Sequence, residues 1–162
     1  MPRLRRRGFQ PLFLLVAVCI AAAALCSCGP APDSGEDGEV RTRGSFEVTA
    51  RLMEIRGDLI DRPDYDYAFV MKYDVIEVHR GEAGEGALYV GHYNPIKPRS
   101  EAADERADDV GGRLLRFRVG GVHRMALERP IDDYYMGGIV NRYFGEETGP
   151  ICWAVWTNRV VL

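Results

Sequence analysis

Phe46, Val48, Ala50 and Leu52 occupy every second position of one stretch, with Glu47, Thr49 and Arg51 between them. A helix, with its period of 3.6, cannot gather such residues on one face, whereas a strand with period 2 does. The stretch predicts a half-buried strand ending near Met53. Residues 67–78 continue the theme. Phe69, Met71, Tyr73 and Val75 share one face; Val70, Ile76 and Val78 share the other with Lys72 and Asp74. So long a strand, apolar on both faces, has to bend or coil so that its two ends bury different sides. Residues 56–66, rich in Gly, Asp and Pro, read as the intervening loop.

The rest of the domain follows the same reasoning. Residues 81–86 form a turn, and residues 87–93 a third strand stopped by Asn94-Pro95 and Pro98. Residues 100–110 predict a short polar helix, with Ser100 as N-cap, Glu101 in the first turn and Gly111-Gly112 at its end. Residues 113–119 and 122–128 predict strands joined through Gly120-Gly121, a two-residue hairpin signal. Residues 130–150 read as a Gly-rich loop with aromatics and a helical turn, and residues 151–162 as the last strand. Trp153 and Trp156, three positions apart, are expected on opposite faces of it. The expected fold is mostly β: a small OB-like barrel of five to six strands with one short helix between strands 3 and 4.

That order, three strands, a helix, two strands and a C-terminal addition, resembles the OB-fold. The stretch Val75-Ile76-Glu77-Val78-His79-Arg80-Gly81 resembles the core of netrin-like and metalloproteinase-inhibitor-like OB barrels, where a long strand runs into a basic residue, a Gly turn and a short strand. The resemblance implies the barrel and nothing about activity. Those families carry several disulfides and a free N-terminal Cys as an inhibitory wedge. This chain has no such disulfide set, and inhibition is not carried over.

The N-terminus reads as an address. Arg3, Arg5, Arg6 and Arg7 precede an apolar run over residues 12–25. Those 14 residues fall short of the roughly 20 that span a bilayer and suit a signal-peptide core. Leu25-Cys26-Ser27-Cys28 follows. This junction resembles the lipobox of bacterial lipoproteins, with Leu25 three positions before Cys28 and small Ser27 directly before it. The resemblance implies cleavage before Cys28, a diacylglycerol thioether on it, and anchoring in a bilayer of the bacterial cell envelope, the outer membrane where the host has one. An unlipidated secretory signal and an uncleaved anchor are the alternatives. Arg6-Arg7-Gly8-Phe9 also partly resembles a twin-arginine signal, so the export route stays open.

The expected organisation is a signal peptide at 1–27, a flexible tether at 28–44 and the barrel at 45–162. The tether holds almost nothing apolar and cannot offset the entropy of ordering by burial. Of the four Cys, only Cys152 belongs to the barrel, so no intramolecular disulfide is expected; Cys152 reads as a buried small hydrophobe.

Charge and motif argue about function mainly by exclusion. From residue 28 onward the chain holds 21 − 4 = 17 basic and 24 acidic residues, a net of −7, which is no nucleic-acid signature. The only serines beyond residue 28 are Ser34, Ser45 and Ser100, and neither a nucleophile elbow nor a phosphate loop occurs. His79, His92 and His123 form no local metal clip, although three strands could bring them together. No catalytic residue, metal or cofactor is assigned. Two segments mix rings with directional polar groups, and His92, Asn94, Tyr134, Tyr135 and Tyr143 are the candidate ligand-binding residues. The expected function is a non-catalytic binding or assembly module for an envelope protein or an exported polysaccharide. The alternative is a hydrolase or transferase using His92 or His123. A pocket that unites both with a carboxylate would favour the alternative.

Overall fold

The computed structural model describes residues 32–62 and 64–162. The signal segment, Cys26 and Cys28 lie outside the described residues. The described chain is mostly β: a closed five-strand mixed barrel with one extra strand and a short helix, the OB-like barrel expected from the sequence. Its elements are α1 (Gly38–Thr42), β1 (Phe46–Glu54), β2 (Tyr67–Arg80), β3 (Leu88–Tyr93), β4 (Val122–Glu128), β5 (Gly138–Val140) and β6 (Cys152–Val160). Around the barrel the order is β1-β4-β6-β3-β2, and β2 pairs with β1 to close it. β3 and β6 run parallel; β5 adds a short parallel edge to β2.

Closure depends on the coiling of β2. Ala68 to Tyr73 pair with β3, while the stretch from Lys72 to Arg80 pairs with β1. Phe46, Val48, Ala50, Leu52, Phe69, Met71, Tyr73, Met125, Leu127 and Cys152 fill the interior. A second apolar cluster covers the outside of β3 and β6. There Tyr135 stacks on Trp153 with ring centroids 5.2 Å apart, and Tyr93 packs edge-on against Tyr135 at 5.3 Å.

Three local expectations are corrected. The helix at 100–110 is only a single 3₁₀ turn, Arg99–Glu101. Asp104 competes with helix formation: its carboxylate accepts the Arg106 N–H at 2.8 Å and the Tyr93 hydroxyl at 2.8–2.9 Å. The strand at 113–119 does not form either. Gly112 sits at φ +134°, and a Cβ there would meet the Thr157 carbonyl oxygen at 2.0 Å. From that close approach the chain crosses the mouth of the barrel. Leu114 and Phe117, three apart, turn into the core, which is not strand spacing. Gly120-Gly121 does make a turn, but it joins this crossing segment to β4. Third, Trp153 and Trp156 share a face. Trp156 pairs with Ala126 and Trp153 with Glu128, two positions apart on β4, because a bulge between them absorbs one residue of β6.

The tether expectation is corrected for its described part. Residues 33–43 lie against β4 and β6. Asp37 caps α1 by accepting the Val40 N–H at 2.7 Å, and its other oxygen accepts from Asn158 Nδ2 at 2.6 Å and Trp156 Nε1 at 3.2 Å. Asn158 also donates to the Gly35 carbonyl at 2.7 Å, and the Val161 N–H donates to the Asp33 carbonyl at 2.8 Å. Gly35, at φ +72°, fits where a Cβ would strike Arg124 and Val160 at 2.9 Å. Val40 is fully buried. On β4 the strap meets Arg124, whose Nη1 donates to Glu36 at 3.2 Å while its Nε donates to the buried Glu47 of β1 at 2.6 Å.

Candidate functional site

At the Val122 and Val160 ends of β4 and β6, a cleft of ≈ 820 Å³ opens beneath the crossing segment. Four arginines line it: Arg51 from β1, Arg116 and Arg118 from the crossing segment, and Arg159 from β6. Arg51 spends one donor on the Gly120 carbonyl at 3.1 Å. None of the lining side chains is acidic. Leu115, Val161 and Leu162 supply apolar rim. Guanidinium groups keep their charge at any physiological pH and present forked donors that match carboxylate and phosphate oxygens.

The floor is His123, which belongs to a buried polar trio inside the barrel. Tyr73 from β2 places its hydroxyl 2.9 Å from His92 Nε2 and 3.2 Å from His123 Nδ1. Phe117 of the crossing segment lies against both imidazoles, with centroids 4.4 and 5.6 Å away. Arg99, also buried, packs over Phe117 at 5.3 Å and donates to the Asn94 carbonyl at 2.6 Å and the Lys97 carbonyl at 3.2 Å. Burial pulls the Arg99 guanidinium down to about 10, so it remains charged at neutral pH. Burial, then the Arg99 charge and His123, hold His92 well below the ordinary histidine range; burial lowers His123 to about 4. Both rings are neutral at pH 7. Burial raises the Tyr73 phenol well above its usual value.

The tautomers are assigned from the hydrogen-bond network. His92 Nδ1 has no partner and sits near a positive charge. An orphaned acceptor is cheaper than an orphaned donor, so Nδ1 is the bare nitrogen and Nε2–H donates to Tyr73. The Tyr73 O–H then donates to His123 Nδ1. That leaves His123 Nε2 as an N–H, against Gly121 on the cleft wall and with no hydrogen bond to the described protein. The trio therefore delivers one neutral donor to the floor of a cationic cleft.

The sequence-derived candidates fall elsewhere. His92 is in the trio, sealed from solvent. Asn94, at φ +43°, is buried as a structural bracket, accepting the Tyr67 N–H at 3.3 Å and donating to Asp66 at 2.8 Å. Tyr135 is buried against Trp153, and Tyr143 against Tyr89 at 4.9 Å with Arg56 over its face at 4.0 Å. Tyr134 alone of the three loop tyrosines keeps its ring exposed, alongside Met136 (97% exposed) and Phe144 (88%) of the same loop. Candidate residues thus separate into core positions and one exposed ring. His92 and His123 come together through Tyr73, while His79 bonds Thr49 at 2.7 Å on the outside. Among the described residues no three His, Cys, Asp or Glu side chains gather as a metal site, and no carboxylate bonds the trio.

The cleft itself escaped sequence reasoning. Arg51 and Arg159 are 159 − 51 = 108 positions apart, and Arg116 and Arg118 fall in the segment expected as a strand over 113–119. The only local signal was Arg116-Phe117-Arg118, two cations flanking a ring. Comparison with known proteins returns no match to this chain, whether to a described family, a curated protein or a solved structure.

Proposed function

We propose that the chain is an exported envelope lipoprotein, tied to a bilayer through acylated Cys28, whose barrel is a non-catalytic binding or assembly module. The observation that carries this reading is the arginine cleft. It brings four cations and a neutral imidazole donor together without an acidic side chain, a hydroxyl nucleophile or a thiol among its lining residues. Such a site holds an anionic group by charge and directional hydrogen bonds, and offers no group poised to break a bond in it. The hydrolase or transferase alternative has less support, because the neutral His92–Tyr73–His123 chain lacks a carboxylate to orient or charge it. A macromolecular partner, an envelope protein or an exported polysaccharide, would meet the loop at the other end of β4, where Tyr134, Met136 and Phe144 stand exposed.

Two measurements test the reading. A clickable fatty acid should label the protein in cells and fail to label Cys28→Ala. Inorganic pyrophosphate should raise the melting temperature of the protein, as a ligand of the folded state must, and should do so far less in Arg116→Ala/Arg118→Ala. Label retained in Cys28→Ala removes the anchor; an equal melting shift in the double variant removes the cleft. Turnover of pyrophosphate or of a phosphate ester that is lost in His123→Gln would establish the enzyme reading instead.

A further inference from the structure

We infer that the arginine-lined end of the barrel docks on the anionic phospholipid headgroups of the bilayer that holds the anchor. The inference rests on the reading of Cys28 as the acylated residue. It follows from where the chain joins the barrel. The Asp33 carbonyl is bonded to the Val161 N–H at 2.8 Å, and Gly35 wedges against Val160 and the Arg159 carbonyl. Arg159, Val160 and Val161 all line the cleft. The strap therefore meets the barrel at the cleft end.

Chain length then limits how far that end can rise. From Cys28 to Asp33 there are 33 − 28 = 5 residues, which span at most roughly 18 Å when fully extended. β4, the seven residues Val122–Glu128, is itself roughly 23 Å long at strand rise. A free tether of 17 residues would let the barrel tumble at a distance. A docked strap leaves a leash shorter than the barrel is tall. The cleft end is held at headgroup depth, and the exposed loop carrying Met136 and Phe144 leaves from the opposite end of β4.

The surface at the held end suits that position. From residue 28 onward the chain is net negative, at 17 − 24 = −7, and an anionic bilayer would repel it as a whole. Yet Arg51, Arg116, Arg118 and Arg159 converge at this one end without an acidic side chain in the lining. Among them stand Leu115 (69% exposed) and Leu162 (79%) of the lining, and Val119 (61%) follows Arg118 directly in the crossing segment. Apolar side chains ringed by arginine are the composition that enters an interface, with the apolar groups below the phosphates and the guanidinium groups among them. Each such cation near an anionic surface contributes roughly fivefold in affinity.

The test uses the acylated protein extracted from membranes and reconstituted in vesicles. One set is phosphatidylcholine alone and the other contains about a third phosphatidylglycerol. An environment-sensitive fluorophore is placed on Leu115→Cys or, separately, on Met136→Cys; Cys152 is buried and does not compete. Lipids carrying a headgroup quencher should quench the label at 115 several-fold more than the label at 136, and more strongly in the phosphatidylglycerol vesicles. Arg116→Glu/Arg118→Glu should bring quenching at 115 down to the level at 136, while the protein still floats with the vesicles and melts normally. Equal quenching at 115 and 136 in protein whose mass includes the acyl chains overturns docking and leaves the lipoprotein reading standing. A chain without acyl mass overturns the lipoprotein reading and this inference with it. Quenching at 115 that is indifferent to phosphatidylglycerol but abolished by dextran sulfate overturns the inference in favour of a soluble polyanion.

Discussion

Asp37→Ala should unfasten the strap, and its cost can be worked out bond by bond. The substitution removes the N-cap of α1, the 2.7 Å acceptor for the Val40 N–H, which is worth about 1 kcal/mol. It also removes the charged acceptor shared by Asn158 Nδ2 at 2.6 Å and Trp156 Nε1 at 3.2 Å. Hydrogen bonds to a charged group contribute about 1.5–3 kcal/mol. Asn158 keeps its bond to the Gly35 carbonyl, and the half-buried Trp156 can turn to water, so the lower part of that range applies. The expected loss is about 2–4 kcal/mol. Urea unfolding followed by the fluorescence of Trp153 and Trp156 reads it directly. With a slope near 2 kcal/mol per molar, the midpoint should fall by about 1–2 M. Asp37→Asn, an equally good cap, should lose about half as much. Burial acts to raise the Asp37 carboxyl, but the Val40, Asn158 and Trp156 donors outweigh it and hold the group below its ordinary value. A depressed carboxylate stabilises above its unfolded value, and the effect fades as the pH falls through the folded one. The gap between wild type and Asp37→Ala should therefore be full at pH 7 and shrink below about pH 4. A gap under about 0.5 kcal/mol at pH 7 would refute the docked strap, and with it the short leash on which membrane docking depends.

The buried histidines make the protein sensitive to acid. The folded values of His92 and His123 lie below 6.5, His123 at about 4, so the unfolded chain binds more protons between those limits and stability falls as the pH drops through the window. His123 alone accounts for about 3 kcal/mol over that range, and His123→Gln should flatten the slope of stability against pH; an unchanged slope would show that the imidazole titrates alike in the folded and unfolded chain and is not held neutral by burial. Tyr135→Ala should destabilise by about 3 kcal/mol or more through loss of its stack on Trp153, whereas Tyr134→Ala should stay within about 0.5 kcal/mol; similar losses from the two in urea melts would contradict the buried and exposed placements. Cys152 is fully buried with its thiol pushed up to about 12 by burial, so a maleimide should label it only in denaturant and reductant should leave the melt unchanged; rapid labelling of the native protein would place the thiol at the surface.

What was legible in the sequence was what repeats locally. The alternation of Phe46, Val48, Ala50 and Leu52 determines β1, because a period of 2 has only one regular solution that buries it. The two apolar faces of β2 imply coiling, since no flat strand could bury both against one core. Val122–Glu128 is a strand as its pattern requires. The loop tyrosines show the limit of the same logic: rings and polar groups in a Gly-rich segment look alike whether they face a ligand or a second core, and only the outer face of β3 and β6 decided that Tyr135 and Tyr143 are packed.

Tertiary structure decided the rest wherever the deciding partner was distant in the chain. The segment at 33–43 is too polar to order itself by burial, and composition read it as tether. It is ordered because Asn158, Trp156, Arg124 and Val161, more than eighty residues away, present the complementary donors. The segment at 113–119 has strand composition but crosses the barrel mouth, because Gly112 fits against Thr157 and Leu114 and Phe117 plug the core. The arginine cleft is the same case. Its four cations come from β1, the crossing segment and β6, and no window of sequence contains them together. A local pattern states which face of an element is apolar. Which charges share a surface depends on how the barrel closes, and that closure is set by pairings between residues far apart in the chain.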